Sequence, residues 1–359
     1  MKVAIIGAGP AGLACAVECE RLGIIPDVFE RDNTVGWIWP SVTVSLNIFD
    51  LDMGDQSNVT YKKFGIDLLP LTKTNSFTLK SPNSEIKVEG NLGYYYVRGK
   101  DPNSIENQLL RKLEKTPIHY NSPADYKELA KKYDYVVVAT GIETTAKELG
   151  IWEQKGLVHM HGGMALGKFS PGNSFLYFNT EYAGTGYARL TPYNSTQAIV
   201  KIYNFNCEES NIDSLFTDFL EKEKLTHLQF FYKITPPMFS IGKVKKFQVD
   251  NVLLIGRAAG FTDRLVGVGA SFAIASGVYA ARAIIKDKDY NSLVKPLQQH
   301  VENISAFRDA MANIDNDGFD KVISILGTPG IKQVIYNTGI DFTDMAGAVL
   351  KNINKLLGK

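Results

Sequence analysis

A glycine-rich turn at the start of the chain constrains its fold more than any other feature. The sequence predicts a strand over Lys2–Ile6, a helix over Ala11–Leu22 and a second strand over Pro26–Glu30. Together they form a βαβ unit. The turn between the first strand and the helix has the spacing GxGxxG, with its glycines at Gly7, Gly9 and Gly12. A carboxylate, Glu30, ends the second strand eighteen residues after the last of them.

This arrangement is typical of a dinucleotide-binding unit. Gly7 permits the tight turn, Gly9 lets a phosphate approach the backbone, and Gly12 lets the helix pack closely on the strand. The helix N-terminus offers N–H groups and a positive dipole end to a pyrophosphate. Glu30 suits the hydroxyls of an adenosine ribose and would repel a 2′-phosphate. The alternative is a glycine turn without a ligand, and this unit alone does not separate NAD from FAD.

A second stretch, VLLIGRAAGFTDRLVGVGASFAIASG, repeats the order of strand, glycine turn and small-residue helix over Val252–Gly277. Between the two units, alternating aromatic and polar residues from about residue 155 predict an antiparallel meander. The buried parallel-type strands are therefore split in sequence around a β-rich insert. This order favours one composite nucleotide site over two independent ones.

Composition excludes several classes of protein. Of the 359 residues, 45% are hydrophobic and 21% charged, and the net charge of +1 gives no basic field for nucleic acid. The three cysteines, Cys15, Cys19 and Cys207, fit no disulfide framework or metal site, and we expect Cys15 and Cys19 to be packing residues. The most apolar of the long uncharged runs, Leu265–Ala281, is too short to span a membrane. We expect a cytoplasmic protein that binds no metal.

Three features together resemble a known family. They are Glu30-Arg31 followed by Gly36, VVVATG over 136–141, and the stretch Val252–Gly277. This combination resembles the para-hydroxybenzoate hydroxylase family of flavoproteins, and within it the geranylgeranyl reductase branch. The resemblance covers nearly the whole chain, including the helical tail with LGTPGIKQVIYNTGID. It implies that the bound dinucleotide is FAD.

The predicted fold is α/β, with a three-layer FAD/NAD(P)-binding (Rossmann-like) domain, an antiparallel β-sheet substrate domain and a helical C-terminal cap. The FAD-binding domain is predicted to be discontinuous, over residues 1–60, 95–150 and 245–289. The β-rich substrate domain takes residues 61–94 and 151–244. The C-terminal helical region takes residues 290–359.

The resemblance also implies which residues bind the cofactor. They are Gly7, Gly9, Pro10, Ala11, Gly12, Glu30, Arg31, Gly36, Trp37, Arg98, Thr140, Gly141, Gly256, Arg257, Gly267, Val268, Gly269 and Ala270. The pyrophosphate is held by Gly7, Gly9, Ala11 and Gly12, and the adenosine ribose by Glu30. The last four bring backbone N–H groups toward the pyrimidine edge of the flavin, where a helix N-terminus stabilises the charge of the reduced ring.

The chain departs from the branch at several positions. Arg257 replaces an aspartate, and it either pairs with the pyrophosphate or forms a surface salt bridge with Asp263. Arg264, Val266 and Val268 replace proline, threonine and glutamate near the ring. The aromatic pocket motif of the branch gives way to YARLTPYN over Tyr187–Asn194. We expect FAD binding to survive, because most contacts come from backbone glycines.

The predicted function is an FAD-dependent oxidoreductase that reduces a carbon–carbon double bond of a small apolar, isoprenoid or lipid-like substrate by hydride transfer. No second glycine fingerprint marks a separate NAD(P)H domain, so the flavin is reduced by NAD(P)H bound transiently in the same cleft or by another electron donor. Two alternatives stay open. One is a flavin monooxygenase of the para-hydroxybenzoate hydroxylase type, and the other is a non-catalytic flavin- or lipid-binding protein. A halogenase is disfavoured, since no motif supplies the lysine that such an enzyme needs in a second tunnel.

The last predicted helix, over 342–359, is amphipathic with a basic face formed by Lys351, Lys355 and Lys359. Such a helix either docks on the neighbouring domain, which we favour, or lies on an anionic membrane surface. The second alternative would make the cytoplasmic protein peripheral to the membrane.

Overall fold

The structure is a computed structural model that describes residues 1–37, 41–47, 64–205, 208, 211–267 and 269–328. Its strands are β1 (Val3–Ile6), β2 (Asp27–Phe29), β3 (Ser41–Leu46), β4 (Thr72–Lys73), β5 (Ser76–Lys80), β6 (Glu85–Glu89), β7 (Gly93–Arg98), β8 (Ile118–His119), β9 (Tyr135–Val138), β10 (Trp152–Leu166), β11 (Asn173–Tyr177), β12 (Tyr187–Pro192), β13 (Gln197–Phe205), β14 (Gln229–Ile234), β15 (Phe239–Val244), β16 (Gln248–Val249) and β17 (Val252–Leu254). Its α-helices are α1 (Pro10–Arg21), α2 (Ile105–Leu110), α3 (Tyr126–Ala130), α4 (Thr144–Glu148), α5 (Thr180–Ala183), α6 (Ile212–Lys222), α7 (Ala270–Ile285), α8 (Tyr290–Ala310) and α9 (Asn316–Leu326).

A six-stranded sheet forms the centre of the nucleotide-binding part, in the order β16-β17-β9-β1-β2-β8. All neighbours are parallel except β16, which is antiparallel to β17. Val28, Ile5, Val137 and Leu253 lie side by side across its four middle strands, and all four are buried. Runs of apolar residues such as these are typical of parallel strands covered on both faces. The two glycine-bearing strands therefore belong to one sheet.

Small residues allow α1 and α7 to pack closely together on this sheet. A Cβ atom at Gly277 of α7 would lie 2.2 Å from the Ala11 carbonyl oxygen of α1. Cys15 and Cys19 are buried on α1. A hydrogen bond with Cys19, together with burial, raises the pKa of Cys15 well above its ordinary value, which keeps the thiol protonated and unreactive. This agrees with packing roles for both cysteines, while Cys207 lies outside the described residues.

The second large sheet has eight strands in the order β14-β10-β13-β12-β11-β5-β6, with β15 also paired to β10. The sequence predicts an antiparallel sheet, and one pair differs. Strand β11 runs parallel to β5, with Phe175 beside Thr78. The difference arises because the β5–β6 hairpin comes from an earlier part of the chain and joins the edge of the meander. A third, three-stranded sheet has the order β3-β7-β4.

The two faces of the eight-stranded sheet have different neighbours. The even-numbered side chains Ala198, Val200 and Ile202 of β13 form a separate core with Phe216 and Phe219 of α6. Their odd-numbered neighbour Ile199 belongs instead to the main core, which includes the six-stranded sheet. Because side chains alternate along a strand, the odd-numbered face of β13 lies toward the nucleotide-binding part.

Two helices of the C-terminal region are described, α8 and α9. Asp289 accepts hydrogen bonds from the N–H groups of Asn291 and Ser292 and so caps α8. Asp315 caps α9 through the N–H of Gly318. The predicted amphipathic helix over 342–359 lies outside the described residues.

The architecture confirms the predicted fold class: an α/β chain with a Rossmann-like nucleotide-binding sheet, further β-sheets and a helical C-terminal region. The predicted domain boundaries stay predictions. Within the described part of the chain, no helix is both long and apolar enough to cross a membrane.

Candidate functional site

A cavity of about 470 Å³ lies between the two large sheets. On one side it is lined by the chain that leaves the carboxyl ends of β1, β2 and β9, at Gly7, Glu30 and Ala139. Ligands of open parallel sheets bind at this edge. On the other side the lining comes from the eight-stranded sheet, through Tyr203 of β13 and Phe239 of β15.

The glycine turn after β1 has the geometry that a pyrophosphate site requires. Gly7 has a φ of +104°, which L side chains rarely adopt, and a Cβ at Gly12 would lie 2.0 Å from the Gly7 carbonyl oxygen. A Cβ at Gly9, by contrast, would meet no atom of the described residues within 4 Å. The fold itself therefore requires Gly7 and Gly12, whereas Gly9 keeps a space open beside the N-terminus of α1.

The carboxylate of Glu30 lies at the end of β2 and lines the same cavity. Its Oε2 accepts a hydrogen bond of 2.7 Å from the N–H of Ala8, and its Oε1 accepts one of 3.0 Å from the N–H of Asp32. These bonds fix the carboxylate beside the glycine turn. A carboxylate has about four acceptor sites, so the remaining ones are available to ribose hydroxyls.

The second glycine stretch reaches the same cavity. After β17 comes a short 3₁₀ helix, Gly256–Ala259, and then a turn that leads into α7. Gly267, with a φ of +71°, Gly269 and Ala270 line the cavity at the start of this 16-residue helix. Val268 lies outside the described residues. The two glycine stretches thus face one cavity, as a single composite site requires.

Arg257 is also part of the cavity lining. Its guanidinium lies 4.1 Å from the centre of the Phe239 ring, and burial lowers its pKa to about 10, so it stays charged at neutral pH. Asp263, which the alternative interpretation pairs with it at the surface, is only 1% exposed. The Asp263 Oδ1 accepts hydrogen bonds from the N–H groups of Leu265 and Val266. Asp263 therefore does not lie at the surface, and pairing of Arg257 with the pyrophosphate stays the prediction.

Other predicted residues lie at the rim. Trp37 is half exposed, and Gly36, with a φ of +85°, packs against the backbone of Gly99. The Nε of Arg98 donates a 2.8 Å hydrogen bond to Glu106, so part of this guanidinium is already paired within the protein. Thr140 donates a hydrogen bond from its hydroxyl to the Ile142 carbonyl.

All but three of the predicted cofactor residues line the cavity. The lining members are Gly7, Gly9, Pro10, Ala11, Glu30, Arg31, Gly36, Trp37, Arg98, Thr140, Gly141, Arg257, Gly267, Gly269 and Ala270. Gly12 and Gly256 are not among the lining residues, because they pack against Gly7 and Ala11 respectively. Val268 lies outside the described residues. The roles in cofactor binding remain predictions.

The contacts that hold the turn before α7 in place were not predicted from the sequence. Arg264, expected only as a departure from the family, is 4% exposed at its side chain and forms ion pairs of 2.8 Å with Glu302 and Asp309 of α8. The hydroxyl of Tyr187 donates a 2.6 Å hydrogen bond to the Val266 carbonyl. The Tyr187–Asn194 stretch contains strand β12, but nothing in the sequence indicates that Tyr187 contacts the turn before α7.

The aromatic residues that line the cavity from the eight-stranded sheet were not predicted individually. Tyr187 and Tyr203 stack with their ring centres 4.8 Å apart, and Phe205 extends the same face of the sheet. The alternation in β12 and β13 predicts a face of this kind, but not which sheet edge it covers.

These residues fit FAD. The space beside Gly9, the N-terminus of α1, a carboxylate at the end of β2 and a second helix N-terminus across the cavity match the pyrophosphate, ribose and flavin parts of the cofactor. Among the described residues, no group of His, Cys, Asp or Glu is placed to hold a metal ion. His161, for example, pairs with Asp213 and the hydroxyl of Thr235.

Comparisons with known proteins agree with this geometry. The family of NAD(P)-binding Rossmann-like domains matches residues 5–61. Digeranylgeranylglycerophospholipid reductase 3 of Methanosphaera stadtmanae is 23% identical, over 93% of this chain and 92% of its own length. A geranylgeranyl bacteriochlorophyll reductase-like protein from Thermoplasma acidophilum superimposes with a TM-score of 0.77 at 17% identity, over 99% of this chain and 98% of that one.

The chain is similar to the geranylgeranyl reductases. This confirms the resemblance that the sequence indicates and, at the same coarse level, the class of FAD-dependent oxidoreductase. The flavin-dependent halogenase CmlS also superimposes, with a TM-score of 0.65 at 17% identity, over 100% of this chain and 70% of its own. At such identities the solved structures show the fold alone, so the substrate of this chain has to be argued from its cavity.

Proposed function

We propose that the chain reduces a carbon–carbon double bond of an apolar, isoprenoid or lipid-like substrate with electrons from FAD. The observation that carries this proposal is the set of residues that line one cavity. The glycine stretches occupy one side, and a wall containing Tyr187, Tyr203, Phe205 and Phe239 faces them. An apolar chain buried against aromatic rings gains roughly 25 cal/mol per Å² of surface removed from water.

Bound and reduced, FAD would supply a hydride to one carbon of the double bond, and the other carbon would take a proton from water. The protein's own part is to position both partners. The turn before α7 presents Gly267, Gly269 and Ala270 to the cofactor side, and the backbone N–H groups of a helix start stabilise an anion there without a charged side chain. The stacked pair of Tyr187 and Tyr203 presents aromatic surface on the opposite side of the cavity.

The electron donor belongs to the same proposal. NAD(P)H would bind transiently in this cleft, or another donor would reduce the flavin. No second GxGxxG unit follows a strand elsewhere in the sequence to hold NAD(P)H separately.

An anaerobic turnover experiment tests the function. The full chain, loaded with FAD and reduced by dithionite, is mixed with geranylgeraniol, and the extracted lipid is examined by mass spectrometry. The proposal expects products heavier by two hydrogens per reduced double bond, together with re-oxidation of the flavin. A reduced flavin that stays reduced and an unchanged lipid would contradict it.

The same preparation separates the alternatives. Fast NAD(P)H oxidation in air that an aromatic substrate stimulates would indicate a monooxygenase instead. Slow re-oxidation in air without such stimulation agrees with a reductase. A chain that takes up FAD but turns over neither class of substrate would indicate the non-catalytic alternative.

Peripheral membrane contact through 342–359 is a second, separate proposal. It rests on the basic amphipathic pattern of that sequence and on the lipid-like substrate. Co-sedimentation with anionic liposomes compares the full chain with a chain that ends at Asp341. The proposal expects only the full chain to sediment, and equal sedimentation of both would contradict it.

A further inference from the structure

The wall of the cavity opposite the glycine turns contains a half-buried arginine. Arg189 of β12 and Lys201 of β13 are direct partners in the antiparallel register. They lie two residues along their strands from the stacked pair of Tyr187 and Tyr203. Directly opposed residues project to the same face of a sheet. Both cations therefore lie on the face that is turned toward the nucleotide-binding part.

Arg189 has little within the protein to balance its charge. One of its terminal nitrogens, Nη2, donates a 3.1 Å hydrogen bond to the Val42 carbonyl of β3. Its Nε is buried and donates to no acceptor within the described part of the chain. Among the described residues, no carboxylate forms an ion pair with Arg189, whereas Arg98 is paired with Glu106 at 2.8 Å. A cation that is partly withdrawn from water and has no anionic partner among the described residues is costly, so such an arrangement is typical of a site completed by a ligand.

The neighbouring Lys201 strengthens the positive field. Burial, together with the charges of Arg189 and Arg98, lowers the pKa of Lys201 to about 7. Arg189 keeps its charge at any physiological pH, since a guanidinium is always protonated there. An anion placed against Arg189 would relieve the repulsion among these three cations.

The position of Arg189 indicates the source of that anion. Arg189 lies in the cavity lining, on the same sheet face as Tyr203 and Phe205. It belongs to the stretch Tyr187–Asn194, which stands in place of the aromatic pocket motif of the geranylgeranyl reductase branch. The aromatic wall is therefore interrupted by one cation at a point where an apolar chain would otherwise continue.

We propose that Arg189 anchors an anion-binding subsite in the substrate wall, and that it takes a phosphate or carboxylate group carried by an otherwise apolar substrate. The guanidinium suits this task because its planar N–H groups bind two oxygens of one anion at once. The inference rests on the proposed function for the apolar part of the substrate, but the subsite is tested by binding alone.

The test compares two probes of equal chain length, geranylgeranyl monophosphate and geranylgeraniol, by isothermal titration calorimetry with the FAD-loaded full chain. The proposal expects the phosphate to bind roughly 10–100-fold more tightly than the alcohol, which is the usual strength of charge-assisted hydrogen bonds. Arg189→Met, which keeps the volume and removes the charge, should abolish this preference. Arg189→Lys should retain part of it. Arg111→Met, which removes an exposed arginine, should leave it unchanged.

Several outcomes would overturn the proposal. These are equal affinity of the two probes for the unaltered chain, a preference that persists in Arg189→Met, or inorganic phosphate that binds as tightly as the prenyl phosphate. A flavin potential that shifts in Arg189→Met while the preference stays would assign Arg189 to the flavin instead. If Arg189→Met does not fold, as judged by circular dichroism, Arg189→Gln takes its place.

Failure of the proposed function is distinguishable from failure of the subsite. A clear preference for the phosphate that depends on Arg189, but without reduction of either lipid, would leave the subsite standing and remove the reductase assignment. Reduction of geranylgeraniol and its phosphate at equal affinity would do the reverse.

Discussion

At the scale of single residues, the glycine turn after β1 separates what the fold needs from what a ligand needs. The space at Gly12 is filled by the Gly7 carbonyl, whereas the space at Gly9 holds no atom of the structurally described chain within 4 Å. The same motif therefore contains one glycine that serves packing and one that serves approach to a phosphate. Two single methyl groups can distinguish these roles.

We expect Gly9→Ala to fold normally and to lose FAD. Its φ of −82° is ordinary for alanine, and the exchange at a helix N-cap costs about 0.5–1 kcal/mol. The added methyl group fills the space beside the start of α1, so FAD affinity should fall at least about tenfold, as for a lost bond to a charged group. Flavin fluorescence titration measures the affinity, and urea unfolding measures the stability. Unchanged FAD affinity would refute the assignment of Gly9.

Gly12→Ala is the matched variant and should behave differently. Its methyl group would lie 2.0 Å from the Gly7 carbonyl oxygen, so the strand and helix must move apart. We expect a loss of roughly 1–3 kcal/mol in the free energy of unfolding of the cofactor-free chain, the usual cost of overpacking. Equal stability of the two cofactor-free variants would contradict this account of the turn.

At the scale of elements, the C-terminal helices hold the site from outside. Arg264 lies in the turn that precedes α7, and its ion pairs join that turn to Glu302 and Asp309 of α8. The backbone N–H of Arg264 also donates a 3.0 Å hydrogen bond to Ser305 of the same helix. Helix α8 therefore fixes the segment that presents Gly267 and Gly269 to the cavity.

We expect Arg264→Met to destabilise the chain by roughly 1–3 kcal/mol, because it leaves two carboxylates without their main partner. The loss is smaller than for a fully buried pair, since the Asp309 side chain is 61% exposed and well solvated. Urea unfolding of the cofactor-free protein measures it. Lys131→Met, which removes an exposed pair with Glu128, is the control and should show no measurable change. If both variants unfold alike, α8 does not anchor the turn.

Helix α9 is anchored to the β5–β6 hairpin by Asp320. Burial raises the pKa of this carboxyl, but hydrogen bonds from the Ser81 hydroxyl and from Asn83 outweigh that effect and lower it below its ordinary value. A carboxyl with a lowered pKa contributes stability above its unfolded pKa of about 3.9 and loses it as the pH falls through the lower, folded value.

Asp320→Asn should therefore be less stable than the unaltered chain at pH 7, with a difference that shrinks as the pH falls below about 4. Urea unfolding of both proteins between pH 7 and pH 3.5 gives the difference. A stability difference that stays constant over this range would show that the charge of Asp320 plays no part in holding α9.

At the scale of the whole molecule, local patterns predicted the central sheet well. The first strand and the first helix were predicted to within one residue at each end. Such elements carry their signals locally, through apolar runs and glycines. Pairings between distant segments carry no such signal. The parallel contact of β11 with β5 and the ion pairs of Arg264 with α8 join residues that only the complete fold brings together.

The candidate site shows the same division. The glycine stretches could be assigned to one cavity because parallel strands end at one edge of a sheet. The partner of Arg257 could not, since the choice between Asp263 and a cofactor depends on which side chains are buried. Phe239, which packs against Arg257, comes from the opposite sheet, and Arg189 was visible in the sequence only as part of an altered motif.

The central claim is that the two glycine stretches form one FAD site. Titration of the full, cofactor-free chain with FAD, followed by visible absorbance after removal of free flavin, tests it most directly. We predict a yellow protein that holds one FAD per chain, and uptake that both Gly9→Ala and Arg257→Met weaken, because the two residues line one cavity. A chain that stays colourless, or one that saturates at two FAD per chain with each variant losing only one, would contradict the account.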